Sequence, residues 1–257
     1  YIDTIEKINA GQKTVRGASG TVYHYATLIL ALGVVTTYFN IPGLETYAYG
    51  IKSDFEIKKL KQRLFIDIAE KQHVDKNYIV IGAGPTGVEL AAALGTYVNR
   101  LCKHYGVKKS RINVRLIEAA PLVLPRSSKM TSLVVARRLR HLGVSVETSK
   151  KVERENAESL IVSGQKVESH TVIWTSGVMN HPLFAAHPHI FRLAKNGRVE
   201  VDEFLMAHPD IYVIGDNAAT QYTGLAQTAL HDARFVSKNL RRVAAAGCPG
   251  CSWECRG

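Results

Sequence analysis

The sequence predicts an α/β fold built on a parallel sheet, and three observations support that prediction. Residues 78–81 form an apolar run that leads directly into a cluster of glycines. A helical apolar pattern follows the glycines at once, and a second predicted strand, 113–118, comes after the helix. The order strand, helix, strand is typical of parallel sheets, because parallel strands need a long crossover connection.

The composition of the 257 residues is that of a soluble globular chain, with 46% hydrophobic and 21% charged residues. No apolar run reaches the roughly 18 residues of a membrane span. The chain opens with neither methionine nor a basic signal region, so we expect it to begin inside a longer protein. The net charge of +11 indicates either a solvated basic surface or an attraction to anions such as dinucleotides or anionic lipid. Basic residues are not interleaved with aromatic ones, so a nucleic-acid partner is not expected.

The four cysteines do not predict a metal site. Cys102 lies in a helical stretch, where we expect a small buried side chain. Cys248, Cys251 and Cys255 crowd the chain end, and we expect residues 246–257 to be a disordered tail. A zinc or redox site in that tail is the alternative, but no fourth ligand lies at matching spacing. No Ser–His–Asp or H-E-x-x-H signature is present.

The other elements follow in chain order from local patterns. Short β-branched runs between turn glycines predict a β-ribbon over 1–25. Apolar periodicity predicts helices, and continuous or alternating apolar runs predict strands. The predicted helices are 53–72, 87–105, 130–142 and 226–243. The predicted strands are 26–33, 144–147, 160–162, 166–167, 171–177, 199–202 and 210–215.

The glycine cluster predicts a dinucleotide-binding turn. Gly82 suits the tight turn, Gly84 allows a pyrophosphate to approach the backbone, and Gly87 allows close packing of helix on strand. Pro85 and Thr86 are assigned to the same phosphate site, because the N-terminal N–H groups and the dipole of the helix that follows favour a phosphate. The strand before and the helix after make a glycine turn without a ligand the weaker interpretation.

Glu118 ends the second strand of this unit, where a carboxylate can accept hydrogen bonds from ribose hydroxyls. The carboxylate would repel a 2′-phosphate, which favours NAD over NADP. Glu118 lies farther along the chain than the usual offset of about 20 residues. We therefore expect an insertion over 103–111 to lengthen the crossover. The alternative is an ordinary surface glutamate at the end of a strand.

With these motifs in order, the chain resembles the two-dinucleotide flavoproteins of the pyridine nucleotide-disulfide oxidoreductase fold, and within them the type II NADH:quinone dehydrogenases. The resemblance covers residues 12–243. Four segments carry it: Leu-Ile-Leu-Ala-Leu-Gly at 28–33, Gly-Ala-Gly-Pro-Thr-Gly-Val-Glu at 82–89, Val-Ile-Trp-Thr-Ser-Gly-Val at 172–178, and Ile-Gly-Asp-Asn-Ala at 214–218, followed by Ala226 and Gln227.

The resemblance implies a Rossmann-like NAD-binding domain, with a parallel sheet, helices on one face and a β-meander, inserted into an incomplete FAD-binding domain. The family's flavin-binding G-x-G-x-x-G is not present before residue 28. The implied segments are a first FAD segment 1–52, a connecting helix 53–75, the NAD(H) domain 76–180, a second FAD segment 181–245 and the tail.

The resemblance also implies roles for individual residues. Gly215 and Asp216 would hold the ribityl chain of FAD, and Ala31 and Gly33 would lie near its phosphates. Glu89 would lie close to the nicotinamide, and Ser176 and Gly177 would lie beneath the bound NADH. The predicted catalytic residues are Glu89, Gln227 and His231. The predicted cofactor-binding residues are Gly82, Gly84, Pro85, Thr86, Gly87, Glu89, Glu118, Ser176, Gly177, Ala31, Gly33, Gly215, Asp216, Ala226 and Gln227.

The implied activity is hydride transfer from NADH to FAD, followed by reduction of a quinone. The type II pattern repeats glutamine one turn after Gln227, but this chain has His231, which could hydrogen-bond a quinone or donate a proton. The alternatives are another acceptor (a disulfide, an iron–sulfur protein or oxygen) and a non-catalytic NAD(H)-binding module. We expect a peripheral location at the inner or cytoplasmic membrane, otherwise the cytoplasm, with membrane contact through a C-terminal region and a homodimer as an option.

His181, His187 and His189 flank prolines and are predicted to lie on the surface.

Overall fold

The structure, a computed structural model, describes residues 1–108 and 112–246. Its strands are β1 Ile5–Asn9, β2 Thr14–Gly17, β3 Val22–His24, β4 Leu28–Leu30, β5 Val34–Thr36, β6 Tyr78–Ile81, β7 Val114–Ile117, β8 Val144–Glu147, β9 Val152–Glu155, β10 Ser159–Val162, β11 Gln165–Glu168, β12 Thr171–Trp174, β13 Val178–Asn180, β14 Met206–His208 and β15 Ile211–Val213. Its helices are α1 Leu44–Tyr47, α2 Asp54–Phe65, α3 Pro85–His104, α4 Lys129–His141, α5 Pro182–Ala185 and α6 Ala226–Ala246, with a π-helical turn Ile66–Glu70 after α2 and a 3₁₀ turn Gly215–Asn217.

The chain divides into two compact units. The first unit contains residues 1–35 and the chain from 179 onward, and the second contains residues 36–178. The second unit therefore includes residues 36–75 as well as the segment for which NAD(H) binding is predicted. Which segment binds which nucleotide stays a prediction.

A four-stranded parallel sheet forms the centre of the second unit, in the order β12–β6–β7–β8. All four residues of β6 and of β12 are buried, as expected of strands covered on both faces. α2, α3 and α4 contribute Leu64, Val98 and Leu139 to one core cluster, which also contains Val80 and Leu116 of the sheet. The predicted parallel sheet with helices on one face is confirmed.

The antiparallel meander β9–β10–β11 packs on the other face of this sheet. Leu160 and Val167 of the meander share a core cluster with Ile79, Val172 and Trp174 of the sheet. The predicted β-meander is therefore confirmed.

Glu155, at the end of β9, is a buried carboxyl in this meander, and its side chain is 8% exposed. Its Oε2 has no hydrogen-bond partner among the described residues. Desolvation by burial raises the pKa of Glu155 to about 8. Below pH 8 the folded protein therefore holds this carboxyl protonated, whereas the unfolded chain ionises it near 4.5.

This buried acid gives a prediction for stability. Because the folded pKa is the higher one, the free energy of unfolding should fall as the pH rises from about 4.5 to about 8, and level off above that. We expect Glu155→Gln to remove this fall and to raise Tm by several degrees at pH 9, with little effect at pH 5. Thermal unfolding across this range measures it. Glu153→Gln, an exposed acid on the same strand, is the control. A Tm difference between wild type and Glu155→Gln that did not change with pH would contradict the pKa assignment.

The first unit consists of a β-ribbon and a small sheet around one core. The antiparallel ribbon β1–β2–β3 confirms the prediction for residues 1–25. The sheet has the order β14–β15–β4, with β15 and β4 parallel. Phe184 and Phe191 pack edge-on, with ring centroids 5.1 Å apart, in the core of this unit.

Most helix boundaries follow from local signals. Ser53 and Glu56 form a reciprocal capping box at the start of α2, as S/T-x-x-E patterns favour. The predicted helices 53–72, 87–105, 130–142 and 226–243 correspond to α2 with its π-helical turn, α3, α4 and α6. The helical part of the predicted insertion ends at His104, and 109–111 lie outside the described residues.

Two strand predictions were wrong in detail. Residues 199–202 form no strand, because the Asp202 carboxylate accepts from the N–H groups of Phe204 (2.9 Å) and Met206 (2.8 Å) and turns the chain. Val199 makes only isolated bridges. The predicted buried strand 26–33 shortens to β4 and is not buried on both sides. It lies at the sheet edge, where Ile29 is 45% exposed.

Candidate functional site

The glycine turn after β6 is built by close contacts that exclude larger side chains. Gly82 has φ +102°, and a Cβ placed there would lie 2.2 Å from Ser176 Oγ. A Cβ on Gly87 would lie 1.8 Å from the carbonyl oxygen of Gly82. The turn therefore needs glycine at both positions, as the predicted roles of tight turn and close packing require.

Thr175, just after β12, ties the turn to the neighbouring strand. Its hydroxyl is 2.8 Å from the carbonyl oxygen of Ile81 and 3.0 Å from that of Gly82. The Thr175 backbone N–H also donates to Ile81 (2.9 Å). These bonds hold the turn in place without involving its N–H groups.

The space above Gly84 is open, in contrast to that around the other two glycines. A Cβ placed on Gly84 would meet no atom within 4 Å, and its φ of −69° and ψ of 178° are allowed for any residue. Gly84 is also the N-cap of α3, without a side-chain cap or an acid in the first turn. Pro85 and Thr86 are exposed. The free N–H groups of the first turn and the helix dipole thus face space that an anion can occupy.

Glu118 lies at the mouth of this turn, directly after β7. Its Oε2 accepts from the N–H of Ala83 at 2.6 Å, and its Oε1 accepts from the N–H of Ala120 at 2.8 Å. The side chain is half-buried. Each carboxylate oxygen can accept more than one hydrogen bond, so the group can still bind hydroxyls of a ligand.

The segment after β12 places Ser176 and Gly177 beside the turn in different surroundings. Ser176 is exposed, whereas Gly177 is buried. A Cβ on Gly177 would lie 2.2 Å from the carbonyl oxygen of Thr37 and 3.0 Å from the Phe39 ring. Gly177 is thus required by packing within this unit, and Ser176 is the residue that a ligand at the turn can reach.

The first unit has its own loop pair, held together by Asn217. The Asn217 Oδ1 accepts from the Gly33 N–H at 2.9 Å, and its Nδ2 donates to the Gly33 carbonyl at 2.6 Å. The same Nδ2 donates to Asn180 Oδ1 at 2.6 Å. The Gly215 N–H donates to Asp232 Oδ2 at 3.0 Å, which anchors the 3₁₀ turn to α6.

Asp216 and Ala31 lie at the accessible side of this loop pair. Asp216 is half-buried, and its backbone carbonyl accepts a hydrogen bond from Arg198, which also donates to the Thr223 hydroxyl. Ala31 is exposed, and a Cβ on Gly33 would meet no atom within 4 Å. A carboxylate beside open backbone suits a ligand that carries hydroxyl groups.

Comparison with known proteins places the chain in a family. The family described as "Pyridine nucleotide-disulphide oxidoreductase" matches residues 1–233. The chain belongs to this family. The predicted family resemblance and the predicted fold class are confirmed.

Within this family, the chain is similar to several individual proteins. The chain is 30% identical to a type II NADH:quinone oxidoreductase from Staphylococcus epidermidis, in a match that covers 93% of this chain and 63% of the relative. It resembles the structure of NDH2 from Plasmodium falciparum in complex with NADH, with a TM-score of 0.73 and 26% identity over 84% of this chain and 49% of that one. A ferredoxin reductase from Rhodopseudomonas palustris has a TM-score of 0.77 at 23% identity over 93% of this chain and 58% of that one, which shows the shared fold alone.

In this pyridine nucleotide-disulphide oxidoreductase, the predicted site residues form two groups. Gly82, Gly84, Gly87 and Glu118 lie together in the second unit, and Gly33 and the turn at 215–217 lie together in the first. Glu89 is exposed on the first turns of α3, two residues after Gly87. The ligand-binding roles of all these residues stay predictions.

The residues predicted on α6 lie at its exposed start. Ala226 begins the helix, and Ala226 and Gln227 are both exposed. The His231 side chain is 81% exposed and stacks on Phe235 with ring centroids 6.4 Å apart. These side chains can therefore be reached from solvent in the described part of the chain.

Three residues that organise the two sites were not singled out from the sequence. Thr175 and Asn217 lie inside the quoted motifs, so their polarity next to a glycine turn was an available signal. Asp232 is buried at 4% exposure, but nothing in the local pattern of α6 indicates its bond to Gly215.

The histidine prediction was wrong for His187, which is 7% exposed. Its Nε2 accepts from the Ile8 N–H at 3.0 Å, and its Nδ1 lies 2.8 Å from the Leu183 carbonyl oxygen. His187 is therefore a structural residue that links the β-ribbon to α5. Cys102 is buried, as predicted. Cys248, Cys251 and Cys255 lie outside the described residues.

Within residues 1–108 and 112–246, no group of three or more His, Cys, Asp or Glu side chains could hold a metal ion. No helix in the same residues has the length and apolarity to cross a membrane.

Proposed function

We propose that this chain is the nucleotide-binding part of an enzyme that oxidises NADH with FAD and passes the electrons to a quinone. The observation that carries the proposal is the position of Glu118, whose carboxylate is bonded to the N–H of Ala83 in the glycine turn (2.6 Å). A turn that can bind the diphosphate and a carboxylate that can accept hydrogen bonds from a ribose are thus adjacent, as NADH requires. The chain spans 63% of the length of the curated relative from Staphylococcus epidermidis, so the activity of the whole protein is inferred.

Different residues around the glycine turn are assigned to different parts of NADH. The open backbone at Gly84 and the first turn of α3, with Pro85 and Thr86, receive the diphosphate. Glu118 accepts hydrogen bonds from the adenosine ribose and disfavours a 2′-phosphate. Glu89, Ser176 and Gly177 are assigned to the nicotinamide end, as the family resemblance implies.

For FAD, the residues present in the first unit fit part of the cofactor. Asp216 offers a half-buried carboxylate for the ribityl hydroxyls, and Ala31 and Gly33 offer accessible backbone for a phosphate. Asn217 keeps these two loops in register through its bonds to Gly33. FAD held there would supply the hydride acceptor and the electron carrier.

The quinone acceptor is supported by the relatives' names and by the accessible residues at the start of α6. We assign Gln227 to hydrogen-bond a quinone carbonyl and His231 to hydrogen-bond or protonate it. A specific observation favours a second candidate, a different acceptor: the expected second glutamine is His231, exposed on the helix surface. Because quinones dissolve in lipid, the quinone assignment also places the whole protein at the surface of the inner or cytoplasmic membrane.

An acceptor assay on the full-length protein tests the proposal. We expect purified protein to be yellow and to oxidise NADH with a soluble quinone much faster than with oxygen alone. Gln227→Ala should raise KM for the quinone about tenfold, because a hydrogen bond to the substrate is worth roughly 1.4 kcal/mol. Reduction of ferricyanide by NADH should be unchanged. Arg234→Ala, an exposed residue on the same helix, is the control.

Two results would overturn different parts of the proposal. Colourless protein that still binds NADH and reduces no acceptor would show a non-catalytic NAD(H)-binding module. Yellow protein that oxidises NADH with a disulfide, an iron–sulfur protein or oxygen, but not with a quinone, would show the alternative acceptor.

A further inference from the structure

The first unit contains a cavity that neither the glycine turn nor the loop pair at Gly33 explains. Its volume is about 990 Å³, and all of its lining residues belong to this unit. Most of the lining comes from the β-ribbon, and residues 189–190 and 208 complete it. The cavity is open to solvent, because Lys7, Asn9 and Arg16 are exposed, and its volume is large enough for a ligand of nucleotide size.

Strand register gathers the polar side chains of the ribbon on the face that lines this cavity. Lys7 lies directly opposite Arg16, and Arg16 lies opposite Val22. The next row pairs Thr14 with Asn9 on one side and with His24 on the other. Because alternate residues of a strand share a face, these rows lie on the side opposite the buried residues Ile8 and Val15.

The pairing of Lys7 with Arg16 is unfavourable in the protein alone. Like charges directly opposite each other on neighbouring strands repel. Neither side chain has a salt-bridge partner within 4 Å in the part of the chain that the structure describes, and no described residue that lines the cavity is Asp or Glu.

Two acids of this unit, Asp210 and Asp3, are engaged elsewhere. Asp210 pairs with Lys13 at 2.7 Å, and the Asp3 carboxylate accepts from Ser19 at 2.5 Å and from Tyr23 at 3.1 Å. These two acids therefore do not pair with Lys7 or Arg16, whose exposed side chains can both reach an anion from solvent.

We propose that this cavity binds a small anion that carries a phosphate or pyrophosphate group. Lys7 and Arg16 bind the phosphate oxygens, since an Arg fork and an ammonium beside it form charge-assisted hydrogen bonds with such a group. His24, His189 and His208 add ring nitrogens that can donate hydrogen bonds, and Asn9 and Gln12 add amide groups. This site is distinct from the NADH and FAD sites and does not depend on the proposed function.

Calorimetric titration of the full 257-residue chain with inorganic pyrophosphate tests the site. We expect saturable binding that weakens about tenfold or more in the double variant Lys7→Gln, Arg16→Gln, because two charge-assisted contacts are lost. Removing the like-charge pair should not lower Tm. The charge-matched control is Lys195→Gln with Arg234→Gln, two exposed cations outside the cavity, which should bind pyrophosphate as wild type does.

A second titration uses phosphatidylcholine vesicles that contain phosphatidic acid. If the wild type binds these vesicles and the cavity variant loses both vesicle binding and pyrophosphate binding, the phosphate belongs to a lipid headgroup. If the wild type binds pyrophosphate but not the vesicles, the ligand is a free organic phosphate. Pyrophosphate affinity that is equal in wild type and the cavity variant, or lowered as much in the control variant, would overturn the proposal and leave a solvated basic face.

Discussion

Gly84→Ala is expected to abolish most of the affinity for NADH while leaving the fold intact. A Cβ at this position meets no protein atom within 4 Å, and the backbone there is extended. The substitution should therefore change the free energy of unfolding by less than about 1 kcal/mol. The new methyl group would stand where the diphosphate must approach, so we expect a loss of affinity of at least about tenfold. Titration of NADH fluorescence and thermal unfolding on the same sample measure both quantities.

Gly87→Ala is the matched control for this experiment and should show the opposite pattern. Its Cβ would lie 1.8 Å from the carbonyl oxygen of Gly82 and 2.6 Å from the Thr175 hydroxyl. Helix and strand would have to separate, at a cost of at least about 3 kcal/mol. We expect Tm to fall by roughly 10 °C. If Gly84→Ala lowered Tm as much as Gly87→Ala, or if it left NADH affinity unchanged, the assignment of Gly84 to the diphosphate would be wrong.

Glu118→Ala is expected to remove the preference for NADH over NADPH. The carboxylate accepts two backbone hydrogen bonds in the protein and is assigned to the ribose hydroxyls of NADH. Hydrogen bonds to a charged group are worth about 1.5–3 kcal/mol, so NADH affinity should fall about tenfold to a hundredfold. NADPH affinity should fall less or rise, because repulsion of the 2′-phosphate disappears as well.

The ratio of the two affinities separates binding from stability. A purely structural role of Glu118 would weaken both nucleotides equally and leave the ratio unchanged. Glu147→Ala is the control, since this carboxylate ends the neighbouring strand and is paired with Arg115 at 2.7 Å. It should lower stability without changing the ratio. Wild-type protein that binds NADPH as tightly as NADH would contradict the assignment before any variant is made.

The geometry of the glycine turn and its neighbouring acid was largely predictable because the signals are local. A buried strand, three glycines and a helix start are adjacent in the sequence, and an acid at the end of the next strand must lie at the same sheet edge. The bond from the Ala83 N–H to Glu118 shows that this reasoning placed the acid beside the glycine turn, whereas the binding of NADH there stays a prediction. The start of α2 also depends on a local feature, the capping box of Ser53 with Glu56.

The remaining features depend on contacts between distant parts of the sequence. Asn217 bonds Gly33 across 184 positions, and His187 accepts from Ile8 across 179 positions. Neither the periodicity of apolar residues nor the spacing of motifs in the sequence predicts contacts between such distant residues. The burial of Glu155 was also hidden, because β9 carries charged residues on its exposed face and its sequence indicates a solvated strand. The strand prediction for residues 199–202 was wrong because the Asp202 side chain closes a turn.

The central claim is that the turn at Gly84 and the carboxylate of Glu118 bind NADH. A crystal structure of this chain with NADH tests the claim most directly. We expect the diphosphate above Gly84, within about 3 Å of the first N–H groups of α3, and the adenosine ribose hydroxyls within about 3 Å of the Glu118 oxygens. NADH bound elsewhere, or with its ribose away from Glu118, would contradict the claim.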